Sequence, residues 1–193
     1  QIHGSEKLIE FRQPVTREAD LIGWWRFDET DSSWAVDSSG NGRPGRLKNM
    51  GESNWIPGKF GNALDFNNTA LSTGVSTGQY VDVGGWIMGG ATTISAWVRL
   101  DTFNSWQRII DFGNGADVDN VFLAGYGGGS GVSVQFRDTA AGNEGYSPGG
   151  FWETGRWIHL AATVDDAGSD VSTVKVYKDG TLFGISSADK TAP

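Results

Sequence analysis

Trp157-Ile158-His159-Leu160-Ala161-Ala162-Thr163-Val164 is the stretch on which the fold turns. Ile158, Leu160, Ala162 and Val164 fall on one face of an extended chain, and Trp157, His159, Ala161 and Thr163 on the other. Strand side chains alternate between the two faces of a sheet, so this spacing predicts a strand with one face in a core. Upstream, Thr93-Ile94-Ser95-Ala96-Trp97-Val98 repeats the pattern, with Ile94, Ala96 and Val98 opposed to Ser95 and Trp97. Downstream, Val174 and Val176 lead to Asp179-Gly180 and then to Thr181-Leu182-Phe183. Asp-Gly between two β-prone runs predicts a hairpin, because a type I′ turn needs φ > 0 at both central residues. No segment shows capped apolar spacing at i, i+3, i+4 and i+7, so the predicted helix content is a turn or two.

The chain has 193 residues, a length at which an all-β sandwich forms one sizeable core. Gly is abundant at 29 and Pro scarce at 5, a mixture that suits many strands joined by tight turns. The net charge is −8 and the sequence pI about 4.6, a balance that repels phosphate backbones and argues against nucleic-acid partners. There is no cysteine, hence no disulfide framework and no thiolate metal site. That usage fits an exported bacterial protein. No apolar run approaches the ~20 residues of a membrane-spanning helix. The chain begins at Gln1, as a mature form or an excised fragment would. Residues 1–20 hold a short β-prone run, Lys7-Leu8-Ile9-Glu10-Phe11, then Pro14 and the charged Arg17-Glu18-Ala19-Asp20. They read as a linker or the tail of an upstream domain, and 21–193 as one domain. The longest loops are expected over 28–57, 113–120 and 138–152.

Further Gly-punctuated signatures stand in a fixed order. They are Leu21-Ile22-Gly23-Trp24-Trp25-Arg26-Phe27-Asp28-Glu29, Asp37-Ser38-Ser39-Gly40-Asn41-Gly42, Gly58-Lys59-Phe60-Gly61-Asn62-Ala63-Leu64-Asp65-Phe66 and Tyr80-Val81-Asp82-Val83. Together with the strands above, they resemble a LamG-like jelly roll of the concanavalin A-like lectin/glucanase superfamily. The resemblance implies an all-β, two-sheet antiparallel jelly-roll sandwich. It also implies a non-catalytic module of a larger, extracytoplasmic protein, with a glycan or an extracellular protein as partner. Members usually close with a strand carrying an Asp-Glu-Val-Arg-Ile-Tyr-like run beside the first strand, and no such run follows Asp179-Gly180 here. Either the closing strands are missing, or Lys7 to Phe11 substitutes for one, or the strand at Leu21 to Phe27 has an unpaired edge.

Candidate chemistry is sparse. Asp37 and Asn41 form either a compact turn, with Asp37 accepting from backbone N–H groups two residues on, or oxygen ligands for a structural Ca²⁺. Asn67 stands in Asn67-Asn68, where relatives often carry Asp-Gly, and is the third metal candidate. His159 has no second His, Cys or acid pair near it in sequence, so it reads as a packing residue. Hydrolases of the superfamily place two catalytic Glu on one strand as Glu-x-Asp-x-x-Glu, and no such run exists in this chain. Glu144 and Glu153 have no visible partner. The 9 Trp are the remaining resource. Trp24 or Trp25, Phe27, Phe66, Trp97, Phe112, Phe136 and Trp157 fall in predicted strands and read as core. Trp34, Trp55, Trp86, Trp106 and Trp152 fall in or beside loops, where a Trp either covers the sandwich edge or offers a flat face to a pyranose ring. Trp106, Tyr126, Tyr146, Phe151 and Trp152 are the expected platforms, with Gln107, Arg108, Asn120, Gln135 and Arg137 orienting hydroxyls. Gln135 and Arg137 share one strand face, the expected concave sheet. A protein-interaction or scaffolding domain of a surface or sensor protein is the alternative function.

Overall fold

The computed structural model describes residues 20–67, 78–85, 91–104, 106–113, 120–126, 130–137, 143–146, 149–165 and 171–189. For some strand residues, Tyr126, Arg137 and Tyr146 among them, it describes the backbone only. The segment Lys7 to Phe11 and Trp86 lie outside the described residues. The protein is nearly all β, without an α-helix among the described residues. It divides into two compact units, residues 1–84 and 85–193, where the sequence reading runs one domain from 21 to 193.

The 85–193 unit is a sandwich of two antiparallel sheets. The first sheet has the order β13(Thr181–Asp189), β12(Val171–Lys178), β11(Trp157–Val164), β6(Thr92–Arg99). The second has the order β10(Asn143–Tyr146), β9(Gly131–Arg137), β8(Asn120–Tyr126), β7(Arg108–Phe112). The alternation of the sequence sets the packing. Ile158, Leu160 and Ala162 on β11 and Val174 and Val176 on β12 face Leu123, Val132 and Val134 of the other sheet in one buried cluster. Phe151 and Trp152 complete it, with Phe151 edge-on to both Trp152 (4.9 Å) and Phe183 (5.2 Å). Removing this apolar surface from water is the main stabilising term. The predicted hairpin is present: Lys178 pairs with Thr181, and Asp179 (φ +51°) and Gly180 (φ +80°) make the two-residue turn.

The 1–84 unit is built from shorter pieces. One sheet has the order β1(Trp34–Ala35), β2(Gly45–Lys48), β5(Tyr80–Asp82), and β3(Trp55–Pro57) pairs with β4(Asn62–Leu64). Among the described residues its buried hydrophobic cluster is Ala35, Leu47 and Leu64, with Trp25, Phe27, Met50, Trp55 and Val81 packed against them.

Several expectations change. The span 28–57 contains β1, β2 and β3, and 138–152 contains β10. Asn-Glu-Gly-Tyr has little β propensity of its own, and pairing with β9 imposes the extended form. Leu21 to Phe27 makes a single bridge, Trp25 to Asp37, instead of a strand. Trp97 is 40% exposed because it stands opposite Ile94, Ala96 and Val98 on β6, Phe66 also reaches solvent, and of Trp24 and Trp25 it is Trp25 that packs on the core.

Candidate functional site

The loop that leads into β7 is stapled to β8. The Trp106 N–H donates to the Gly125 carbonyl (2.8 Å), and the Gly125 N–H donates to the Gln107 carbonyl (2.9 Å). The Gln107 side chain ties the loop to itself. Its Oε1 accepts from the Asn104 N–H (2.8 Å), and its Nε2 donates to the Thr102 carbonyl (3.1 Å). Gly125 is required here, since a Cβ would stand 2.9 Å from the Phe103 ring. Trp106 takes a left-handed backbone (φ +68°), which costs a bulky L-residue roughly 1–2 kcal/mol. Its indole is nevertheless 44% exposed. The Arg108 guanidinium lies over that ring at 5.8 Å, and its Nε donates to Asp111 Oδ2 at 3.1 Å. An exposed aromatic plane beside an arginine–carboxylate pair can stack on an apolar C–H face and exchange hydrogen bonds with hydroxyls.

The remaining candidate residues separate along the sheet. Arg108 pairs with Ala124, Tyr126 with Gly131 and Tyr146 with Ser133, so their backbones gather at the end of the sheet where Trp106 is held. Arg137 pairs with Asn120 at the opposite end, roughly 20 Å from Gly131 at strand rise. Gln135 is 3% exposed, Trp152 5% exposed and Phe151 fully buried, so none of the three offers a ligand-facing surface. Trp152 is drawn in because its backbone N–H donates to the Ser130 carbonyl (3.0 Å) and its ring packs on Phe151 in the core. Gln135 lies on a stretch of β9 that is buried on both faces, as Ser133 also is. The expected open concave face is therefore closed at these residues.

Asp37 organises the other unit. Its Oδ1 accepts from the Trp24 N–H (3.0 Å) and the Ser39 N–H (2.9 Å), and its Oδ2 from the Arg43 N–H (3.0 Å). Burial works to raise its pKa, but hydrogen bonds from the Ser39 side chain and from the Trp24, Arg43 and Ser39 backbones outweigh it. They hold the carboxyl well below the usual carboxylate range. The Asn41 amide donates to the Leu21 and Ile22 carbonyls. Gly40 (φ +87°) and Gly42 (φ +69°) take the left-handed turn positions. Asn67 donates its amide to Asp65 Oδ2 (2.9 Å) and its backbone N–H to Gln79 Oε1 (2.6 Å). Both Asp37 oxygens thus accept from backbone N–H groups, while Asn41 and Asn67 use their amide N–H groups on the Leu21 and Ile22 carbonyls and on Asp65, and around Asp37 this is the bonding of a compact turn. No cluster of three His, Cys, Asp or Glu suited to a metal occurs among the described residues.

His159 serves packing. Its ring lies 5.2 Å from Trp97, and its backbone N–H donates to Asp179 Oδ1 (2.9 Å). Glu153, which has no partner visible in the sequence, bridges Lys178 (2.8 Å) and Arg156 (2.7 Å), and Arg156 also reaches Asp179 (2.6 Å). Lys178 holds Glu153 below the ordinary carboxylate range, first through its hydrogen bond. Asp179 is lowered chiefly by the His159 N–H. These charges pin the Phe151–Arg156 loop to the Asp179-Gly180 turn.

Residues 69–193 match the family model described as the concanavalin A-like lectin/glucanases superfamily, of laminin G type. No curated protein and no solved structure gives a significant match to the chain. No helix among the described residues is long and apolar enough to cross a membrane.

Proposed function

We propose that this chain, which belongs to the concanavalin A-like lectin/glucanases superfamily, is a non-catalytic carbohydrate-binding or adhesion module of an extracytoplasmic bacterial protein. Its ligand surface centres on Trp106 and Arg108, with Tyr126 and Tyr146 at the same end of the sheet. Trp106 carries this reading. A tryptophan held in a costly left-handed backbone by hydrogen bonds to Gly125 and through Gln107, with its ring still exposed, is displayed rather than buried. The Arg108–Asp111 pair is locally neutral, which suits the hydroxyls of an uncharged sugar. A glycan array with the intact chain tests the proposal. Binding to a neutral saccharide, weakened at least about tenfold by Trp106→Ala, is the expected result. Absence of binding across the array sinks it.

One observation favours an interaction domain as the second reading. Leu21, Ile22, Trp24, Trp34, Val36, Phe60, Phe66 and Tyr80 are all exposed large apolar residues, and all lie in the 1–84 unit. Capture of a protein partner that Phe60→Ser abolishes, with an empty glycan array, would select it.

A further inference from the structure

The outward face of the β1-β2-β5 sheet carries a second constellation, and it uses no residue of the Trp106 surface. Trp34 pairs with Arg46, Arg46 with Asp82, and Lys48 with Tyr80. Directly paired residues share a face, as do residues two apart on one strand. Trp34, Arg46, Lys48, Tyr80 and Asp82 therefore lie together, while Ala35, Leu47 and Val81 take the core side. Trp34 is 44% and Tyr80 36% exposed. Trp34 and Arg46 lie in the part of the chain that precedes the family match.

We propose that this face binds a sparsely carboxylated polysaccharide. Trp34 and Tyr80 stack on sugar rings, and Arg46 and Lys48 take the carboxylate of a uronic acid. Two cations against Asp82 leave the face positive in a chain of net charge −8, so the face is complementary to an anion that the rest of the surface repels. The Arg46 guanidinium lies 5.8 Å over the Trp34 ring and has no acidic partner among the described residues. A stacked guanidinium is pre-organised, and its planar fork matches a carboxylate in a bidentate pair. Lys48 reaches Asp82 only at 3.5 Å in an exposed pair, which contributes little and is readily exchanged for a ligand anion.

The spacing also fits. Trp34 and Tyr80 stand two strands apart and two residues along, a diagonal of roughly 12 Å, about the reach of a disaccharide. One net positive charge over that length matches one carboxylate per disaccharide. It is too little for a densely sulfated chain, which would meet the acidic remainder of the surface.

Titration of the intact chain with hyaluronan, whose disaccharide repeat carries one carboxylate, tests this, with dextran sulfate and neutral dextran as the other arms. Hyaluronan binds at low salt, and Trp34→Ala and Arg46→Gln each weaken it about tenfold or more. Arg46→Lys restores only part, and Trp106→Ala leaves it unchanged. All three side chains are exposed, so the melting temperatures of these variants stay at the parent value, and Tyr80→Ala provides an independent loss. No binding to hyaluronan, binding that survives both Trp34→Ala and Arg46→Gln, or binding to dextran sulfate alone would each overturn the proposal. A failure at hyaluronan with intact neutral-glycan binding leaves the Trp106 surface standing. The reverse pattern removes Trp106 and keeps this face.

Discussion

Among the described residues of the 85–193 unit, ten buried side chains from two sheets and the Phe151-Trp152 loop form one cluster. In the 1–84 unit, the buried cluster is Ala35, Leu47 and Leu64. Side-chain hydrogen bonds to backbone take up the difference there. Asp37 accepts from the N–H groups of Trp24, Ser39 and Arg43. Asn62 donates to the carbonyls of Asp28 and Glu29, both at 3.1 Å, and Glu29 Oε1 accepts from the Val36 N–H at 2.8 Å. Asn54, itself buried, bonds to Asp65 and Gln79 and caps the Gly51 N–H. One unit is held mainly by apolar burial, the other by short polar side chains that close its loops. The first mechanism leaves a periodic trace in sequence and the second does not.

The largest effects should separate the two mechanisms. Leu160→Ala empties a fully buried position and is expected to cost about 3–4 kcal/mol. Leu47→Ala removes the same atoms from a site that is not fully closed and should cost nearer the lower end, about 2 kcal/mol. Denaturant midpoints of the two variants check this, and equal losses would break the contrast.

Asp37→Ala removes the acceptor of three backbone donors at once, and about 2 kcal/mol is expected. Hydrogen exchange read segment by segment should show faster exchange at the amides of Trp24, Ser39 and Arg43, with β11 unchanged. Uniform acceleration across both segments would contradict a local polar closure.

Acid sharpens the same point. The folded pKa of Asp37 lies below its unfolded value, so its contribution is fully present above the ordinary carboxylate pKa. It is lost as pH falls through the folded value. Below about pH 4 the parent protein should lose stability more steeply than Asp37→Asn. Parallel acid titrations of the two would show that Asp37 is not held by these donors. The smallest expected effect is that of chelation. With the oxygens of Asp37 committed to N–H groups, EDTA should leave the melting temperature within about 1 °C of its value in Ca²⁺, a shift worth only a few tenths of a kcal/mol. A larger fall would show a bound metal and call for its ligands to be located.

The alternation over Trp157–Val164 and residues 93–98, the Asp179-Gly180 hairpin and the Asp37-Ser38-Ser39-Gly40 turn were legible because each is a local pattern with a local cause. Strands β1 and β10 were not, since two residues within Ser32-Ser33-Trp34-Ala35 and four in Asn143–Tyr146 are extended only by their partners. The aromatics divide the same way. Alternation placed Trp97 opposite Ile94, Ala96 and Val98, yet reading it as core ignored that consequence. Trp152 sits between glycines and charged residues and looks like a loop platform. Its burial is set by Phe151 and by the Ser130 carbonyl, which no local signal reports. For Trp106 the exposed loop position was readable, while its left-handed backbone was not, because neither Gly nor Asn occupies the site.

The central claim is that Trp106 is displayed to hold a sugar. The direct measurement is the thermal shift of the intact chain and of Trp106→Ala, each with saturating neutral glycan taken from the array. A ligand at 100 times its Kd stabilises the native state by about 2.7 kcal/mol, so the parent melting temperature rises by several degrees. Trp106→Ala should melt at the parent's unliganded temperature without glycan, and at the same glycan concentration its rise should be at most about half the parent's, since a tenfold weaker Kd leaves about 1.4 kcal/mol. An equal rise in both proteins would contradict the account and move the ligand to another surface.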